Sequence, residues 1–239
     1  MSMLSRRAMM THKSGGGLPA GYTEVAYIQS TGEQWIDTGE YIRTDDSFSI
    51  QYKDIYMSAR NGTLGVFGSS YYDYRRIDGI TGYMDKSYYG VAYAIVRFAP
   101  YQGEAQEITL AESASTSAEQ TITDFIDIAY ADRTVNISVN GVPKEPTEIT
   151  VTWGSFTSAP NALFAVNSRQ DGVTRKSSVK IYGYSHGRNG QYLRNFVPCI
   201  RSDNKPGFYD LAGSICPLTG TPFYINAGTG ADLIAGPPV

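Results

Sequence analysis

The sequence predicts an all-β protein, folded as a two-sheet antiparallel jelly-roll sandwich of the concanavalin A type. Glycine (25) and tyrosine (19) are abundant in its 239 residues, a composition that favours strands joined by tight turns. Short runs that alternate apolar and polar residues recur at spacings of roughly 8–15 residues. No stretch shows a convincing helical period. The length suits a single β-sandwich domain with a large core.

Period-two alternation marks the strands of the N-terminal half. In the first run, Val25 and Tyr27 are predicted to face one way and Glu24 and Ala26 the other. Asn61-Gly62 is a type I′ turn signal before another strand. The strands predicted for this half cover residues 23–29, 34–38, 47–57, 63–69 and 91–98.

The C-terminal half continues in the same way. Asn140-Gly141 is predicted to close a hairpin, and the polar residues 111–120 are predicted to form an exposed loop. Residues 161–166 form a short apolar run that is typical of a central strand. The strands predicted for this half cover residues 106–110, 121–130, 134–140, 161–166 and 178–185.

Residues 1–17 are predicted to be a flexible N-terminal arm, separate from a domain at 18–239. Residues 14–17, Ser-Gly-Gly-Gly, have the composition of a hinge. One interpretation is a docking arm, in which soft methionines fill a groove and arginines pair with acidic groups of a partner. The alternative is a disordered start. The docking residues are Met3, Leu4, Arg6, Arg7, Met9 and Met10.

Charge and hydropathy exclude several classes of function. The net charge of −3 and the pI of about 5.4 argue against nucleic-acid binding. No run approaches a membrane span, so no membrane insertion is expected. No apolar segment follows Arg6 and Arg7, so we expect no signal peptide and a protein made in a bacterial host cytoplasm. Cys199 and Cys216 are expected to be buried free thiols, although a pair between them stays open.

Two motifs at the ends of the domain carry a family resemblance. Residues 18–39 match the phrase Leu-Pro-x-Gly-Tyr…Tyr-Ile-x-Ser-Thr-Gly-x-Gln-x-Ile-Asp-Thr-Gly, and residues 193–199 read Leu-Arg-Asn-Phe-Val-Pro-Cys. Arg201, Asp203, Gly207 and the triplet Gly228-Thr-Gly extend the second motif. The chain from Leu18 onward resembles the LamG-like, concanavalin A-like jelly-roll proteins of gut bacteria and their phages.

The resemblance implies a non-enzymatic phage virion protein, either a capsid decoration or a head-fibre or tail-fibre component. Such a protein would join other virion proteins as a homo-oligomer and display the jelly roll toward host glycans or the host surface. The alternative is a carbohydrate-binding module of a bacterial surface protein. A glycan-active enzyme is the third hypothesis, but the Glu-x-Asp-x-x-Glu strand pattern of jelly-roll glycanases is missing. His12 and His186 are each expected in a loop without a catalytic partner, so we predict no enzyme.

A tyrosine-rich insert at residues 69–90 departs from the family and supplies the binding candidates. Tyrosine gives a large contact area at low entropic cost, and arginine holds acidic groups. The alternative is that half of these rings simply cover the sandwich. The candidates are Tyr71, Tyr72, Tyr74, Arg75, Arg76, Tyr83, Tyr88 and Tyr89. An expanded segment at residues 214–222 is the second departure.

No cofactor is predicted, although the family makes calcium a hypothesis. Its loop ligands would be Asp73, Asp78 and Asp85, and solvated loop acids are the favoured alternative. Trp35 and Trp153 are expected in the core. An ion-pair network that ties down the final segment is predicted from Arg194, Arg201, Asp203 and Asp210.

Overall fold

The computed structural model describes residues 17–57, 62–70, 79–86, 91–99, 104–114, 120–151, 159–169 and 171–239. Within these ranges the chain forms strands and turns without a helix, in two sheets that pack face to face. The predicted fold class, an all-β jelly-roll sandwich, is therefore confirmed. None of the described segments is a helix that could cross a membrane.

The larger sheet has 13 strands. They are β1 (Tyr22–Glu24), β2 (Ile28–Gln29), β4 (Ser47–Met57), β9 (Gln120–Ile122), β10 (Ile126–Ala131), β11 (Thr134–Val139), β12 (Val142–Pro143), β13 (Thr147–Glu148), β17 (Ser178–Arg188), β18 (Gln191–Arg201), β19 (Pro206–Asp210), β20 (Phe223–Tyr224) and β21 (Ile234–Ala235). Its central order is β12-β11-β10-β4-β17-β18-β19-β20, and every pairing in it is antiparallel.

The smaller sheet has eight strands in the central order β16-β15-β5-β6-β7-β8. They are β3 (Ile36–Asp37), β5 (Gly62–Ser70), β6 (Gly79–Lys86), β7 (Val91–Ala99), β8 (Gln106–Ala114), β14 (Ala162–Leu163), β15 (Val166–Ser168) and β16 (Gly172–Thr174). One pairing, β15 with β5, is parallel, whereas the other pairings are antiparallel.

The core lies between the two sheets. Alternation along β4 turns Phe48, Ile50 and Tyr52 inward, and each is at most 3% exposed. Ring contacts join the sheets, with centroids 5.8 Å apart for Phe48 and Phe67 and 5.5 Å apart for Phe98 and Tyr130. This packing fixes which face of the larger sheet is turned outward.

The N-terminal segment, residues 22–29, pairs with two strands of the larger sheet. The hairpin strands β17 and β18 separate at their open end, where β1 pairs with β18 and β2 pairs with β17. The other edge of the segment pairs with the C-terminal tail, through β21 and through a bridge between Val25 and Pro238. Both ends of the domain are therefore held in the same part of the sheet.

Several local predictions are confirmed and others are wrong. Asn140 and Gly141 have φ of 52° and 78°, as a type I′ turn requires, and they join β11 to β12. Residues 111–114 belong to β8 rather than to a loop, because they pair with β7. The predicted strand at 121–130 is two strands, β9 and β10. The predicted strand at 161–166 is likewise divided between β14 and β15.

Candidate functional site

Most of the binding residues predicted from the sequence lie outside the described residues. These are Tyr71, Tyr72, Tyr74, Arg75, Arg76, Tyr88 and Tyr89, together with the arm residues Met3, Leu4, Arg6, Arg7, Met9 and Met10. Tyr83 belongs to β6, where it pairs with Gly65 and Ile95. The tyrosine-rich insert therefore contributes a full strand to the smaller sheet, and its role in binding stays a prediction.

A row of three aromatic rings lies on the outer face of the larger sheet. Tyr182 is at its centre, with its ring centroid 5.4 Å from that of Tyr27 and 5.0 Å from that of Phe125. All three side chains are half-buried. We call Tyr27, Phe125 and Tyr182 the aromatic face.

A β-bulge lies at Tyr182 and lets Tyr182 face outward while Tyr184 faces the core. The register between β17 and β4 shifts between Ile181 and Gly183, so Tyr182 is an extra residue without a partner in β4. Its neighbours Ile181 and Gly183 are buried, and Tyr184 beyond them is 2% exposed in the core. Bulges commonly re-aim a side chain next to a functional site.

A second register shift between β17 and β4 places the ion pair of Lys180 and Asp54 beside the rings. It lies between Ser178 and Lys180, opposite Asp54, which has a φ of 57°. Positive φ is uncommon outside glycine and costs of order 1 kcal/mol. The Asp54 carboxylate accepts a hydrogen bond from Lys180 Nζ at 2.6 Å. This bond raises the pKa of Lys180, so its ammonium remains charged.

The cation also contacts the aromatic face. Lys180 Nζ lies 5.1 Å from the centroid of the Tyr27 ring, within cation–π range. The Lys180 and Asp54 side chains are 25% and 27% exposed, so both are within reach of a ligand.

Amide and hydroxyl groups continue the polar surface. Gln51 Nε2 donates to Asp127 Oδ2 at 3.3 Å, and the hydroxyls of Ser49 and Ser185 are 2.8 Å apart. Burial raises the pKa of Asp127, and the bond from Gln51 offsets part of that rise. The outer face thus combines apolar rings with donors and acceptors.

The Tyr27 ring is held from behind by the C-terminal tail. Gly236 N donates to Tyr27 O at 2.8 Å. A Cβ at position 236 would lie 2.9 Å from two carbons of the Tyr27 ring, so only glycine permits this approach. The ring is therefore positioned before any ligand arrives.

The predicted orientation of Tyr27 is wrong, and Tyr182 was not among the predicted binding residues. Val25 is 2% exposed in the core, whereas Tyr27 lies on the outer surface, because strand pairing breaks between Glu24 and Ile28. The alternation of Val179 and Ile181 with Lys180 and Tyr182 was the available signal for an outward Tyr182. This alternation does not indicate that the rings of Tyr27 and Phe125 contact the ring of Tyr182.

The residues of the C-terminal motif form ion pairs as predicted, but in two separate groups rather than in one network. Arg194 Nη2 lies 3.0 Å from Glu40 Oε1, and its Nη1 lies 3.9 Å from Asp210 Oδ2. Asp210 Oδ1 accepts hydrogen bonds from the backbone amides of Asn195 and Ala212. The Arg201 guanidinium holds Asp203 through two bonds, of 2.9 and 2.7 Å.

The expectation that His186 lies in a glycine-rich turn is wrong. His186 is on β17 and is 0% exposed, because it faces the core from the end of a longer strand than predicted. Its Nε2 is 2.7 Å from Asp46 Oδ2, and Arg188 donates to both oxygens of Asp46 at 2.6 and 2.8 Å. Full burial suits a role in stability rather than in contact with a ligand.

Other predicted residues have mixed outcomes. Cys199 and Cys216 are both free and buried, and burial raises the pKa of Cys199 to about 12. Trp35 is half-buried, whereas Trp153 lies outside the described residues.

The described residues contain no candidate calcium site. They contain no group of three or more His, Cys, Asp or Glu side chains that could hold a metal ion. Asp85 is in β6 rather than in a loop, and Asp73 and Asp78 lie outside the described residues.

The chain matches no known family. No family model matches the chain, and no curated protein matches it. Among solved structures, it is similar to CBM40 of the Ruminococcus gnavus IT-sialidase bound to α2,3-sialyllactose. The TM-score is 0.43 with 11% identity, over 70% of this chain and 91% of that one.

Two further structures show similar values. The same CBM40 bound to α2,6-sialyllactose has a TM-score of 0.42 and 12% identity, over 67% of this chain and 90% of that one. The heptameric SAP-like pentraxin of Limulus polyphemus has a TM-score of 0.40 and 12% identity, over 71% of this chain and 77% of that one. The two sialyllactoses are ligands of that CBM40.

Proposed function

We propose that this protein is a glycan-binding domain and that the aromatic face is its binding surface. The observation that carries the proposal is the row of three half-buried rings flanked by the Asp54–Lys180 pair and the Gln51–Asp127 pair. Pyranose rings present flat C–H faces ringed by hydroxyls. A surface that alternates aromatic carbon with charged and amide groups matches both parts of such a ligand.

Each part of the surface has a separate task. The Tyr182 ring offers apolar area against the C–H face of a sugar, and its partners Tyr27 and Phe125 keep it in place. Asp54 accepts hydrogen bonds from sugar hydroxyls, and Lys180 donates to them. Hydrogen bonds to charged groups are about twice as strong as neutral ones, so this pair adds direction to the contact.

Binding to a glycan array, followed by calorimetry on the best ligand, tests the proposal. Tyr182→Ala should weaken binding at least about tenfold, which corresponds to about 1.4 kcal/mol. Tyr192→Ala is the matched control, since Tyr192 is an exposed tyrosine on β18 outside the aromatic face. Absence of binding to every glycan by a folded protein would overturn the proposal, as would equal losses in both variants.

The proposed role is binding without catalysis. The bound glycan should therefore be recovered unchanged after long incubation, as judged by mass spectrometry of the sugar. Release of shortened or unsaturated products would instead support the glycan-active enzyme.

The virion setting and the homo-oligomer stay predictions that rest on the sequence resemblance. Light scattering should show a defined oligomer for the full chain, and a variant that starts at Leu18 should be smaller if the N-terminal arm makes the contacts. Equal masses for the two proteins would argue that the arm does not assemble the particle. A monomer in both cases would favour the bacterial surface module.

A further inference from the structure

A second aromatic cluster lies on the larger sheet. The Tyr22 ring centroid is 4.9 Å from that of Tyr209 and 5.3 Å from that of Phe223. The guanidinium carbon of Arg201 lies 5.1 Å from the Phe223 centroid. Phe223 is 0% exposed beneath these groups, whereas Tyr22 and Tyr209 are half-buried. We call Tyr22, Tyr209 and Phe223 the second cluster.

The strand register places the second cluster on the same outer face as Tyr182. On β18, Phe196 faces the core, so Val197, Cys199 and Arg201 lie on the opposite side of the sheet, where Val197 and Cys199 are covered and Arg201 is half-buried. Arg201 pairs with Tyr22, and Val197 pairs with Tyr209. The second cluster and the aromatic face therefore lie on the same side of the larger sheet.

The segment at residues 22–29 connects the two clusters. Tyr22 and Tyr27 are five residues apart, which is at most about 17 Å of extended chain. Glu24 lies between them and faces outward, because it pairs with Cys199. Several linked sugar rings span such a distance, whereas a single ring does not.

The charges on this surface fit a neutral ligand. Lys180 and Arg201 are each held by a neighbouring carboxylate, at 2.6 and 2.7 Å. Among the described residues on this surface, four carboxylates face three cations, so these residues leave no excess positive charge for an anionic chain. These groups are Glu24, Asp54, Asp127 and Asp203 against Lys53, Lys180 and Arg201.

We infer that the aromatic face and the second cluster are two ends of one binding surface for a linear, neutral polysaccharide. The inference rests on the proposed function. Sugar units at the two ends stack on Tyr182 and on Tyr22, and Glu24 accepts hydrogen bonds from the hydroxyls of the units between them. A chain that reaches both clusters gains the second contact without a second loss of overall freedom.

The test measures affinity against chain length. The probes are oligosaccharides of two to eight units from β-1,4-glucan, β-1,3-glucan and β-1,4-xylan, with oligogalacturonate as the anionic comparison. Affinity for a neutral series should rise with length and then level off. Oligogalacturonates should bind at least about tenfold more weakly than the best neutral series of equal length.

Two variants separate the ends of the surface. Tyr22→Ala should weaken binding of the longest oligosaccharides about tenfold and change binding of the shortest less than twofold. Tyr182→Ala should weaken binding at every length. Tyr22→Phe keeps the ring and should restore the length dependence. Unchanged binding of the shortest ligand by Tyr22→Ala also shows that this variant is folded.

Three outcomes would overturn the inference. They are short ligands that bind as tightly as long ones, a length dependence that Tyr22→Ala leaves intact, and preferred binding of oligogalacturonate. In each case the proposed glycan-binding function survives. Binding of no oligosaccharide at all would remove the proposed function and the inference together.

Discussion

At the scale of the residue, Asp46 is a buried carboxylate bound by three neighbouring residues. It is 1% exposed and accepts hydrogen bonds from His186, Arg188 and the Arg43 amide. Asp46→Asn removes the charge and leaves Arg188 without its ionic partner, so it should lower the free energy of unfolding by about 3–5 kcal/mol. Urea denaturation measures the loss.

The control for this variant is Asp203→Asn. Asp203 also forms a two-bond pair with an arginine, but its side chain is 48% exposed. Solvent-exposed pairs contribute about 1 kcal/mol or less, so this variant should stay close to the wild type. Equal losses in the two variants would show that burial is not what makes Asp46 important.

We expect the contribution of Asp46 to the free energy of unfolding to depend on pH. Burial alone would raise the pKa of Asp46, but hydrogen bonds from His186 and Arg188 outweigh it and lower the pKa from 3.8 to about 2. The carboxylate therefore contributes its full stability above pH 3.8 and loses it as the pH falls through 2. The stability gap between wild type and Asp46→Asn should shrink by about 2 kcal/mol between pH 5 and pH 2. A gap that is constant across this range would contradict the assignment.

Some features of single residues could be predicted from the sequence, whereas long-range contacts could not. Alternation along residues 178–185 indicates that Lys180 and Tyr182 share a face, and the structure agrees. Nothing local indicates that Asp54, 126 positions away, meets Lys180, because a bulge in each strand produces that contact. His186 was misplaced for a related reason: Gly187 and Gly190 suggested a turn, but the turn begins only after Arg188.

At the scale of the element, β19 and β20 approach closely at Gly207. A Cβ at this position would overlap the backbone oxygen of Tyr224 and contact the Phe223 ring at 2.9 Å. A backbone atom cannot rotate away, so Gly207→Ala should cost about 3 kcal/mol or more. Thermal unfolding followed by circular dichroism measures the loss.

Gly213→Ala, in the connection from β19 to β20, is the matched control. Gly213 has a φ of 81° and open space where a Cβ would lie. Its replacement strains only the backbone, at about 1–2 kcal/mol. Similar losses at the two positions would mean that the close approach of β19 and β20 is not what requires glycine.

The strands most visible in the sequence are those with one solvated face. The strands β4 and β10 alternate cleanly and were predicted on that pattern. The strand β18 was not predicted, because residues 196–199 are buried on both faces and show no alternation. The strand β6 was hidden in the tyrosine-rich insert, where frequent Gly, Asp and Tyr obscure the pattern.

At the scale of the whole molecule, the sandwich was predictable because composition and strand spacing act over the full chain. The pairing of the two ends was not, since β2 and β21 are some two hundred positions apart and each has two residues. Their contact decides where Tyr27 lies. The fold class therefore follows from the sequence more readily than the candidate site does.

Removal of the C-terminal tail tests this dependence of the site on the fold. A chain that ends at Leu233 loses β21, the bridge at Pro238 and the hydrogen bond from Gly236 to Tyr27. The core between the sheets remains, so the protein should still fold. The segment at 24–29 becomes an edge with unpaired backbone groups, and the Tyr27 ring loses its support.

Hydrogen exchange and calorimetry together measure the outcome. Amide exchange should accelerate in residues 24–29 and stay slow in β4 and β10, because local opening does not require global unfolding. Affinity for the glycan should fall about tenfold, since Tyr27 no longer holds Tyr182 in position. Unchanged exchange at 24–29 would show that β17 and β18 hold the segment unaided. Fast exchange throughout would show instead that the tail stabilises the whole sandwich.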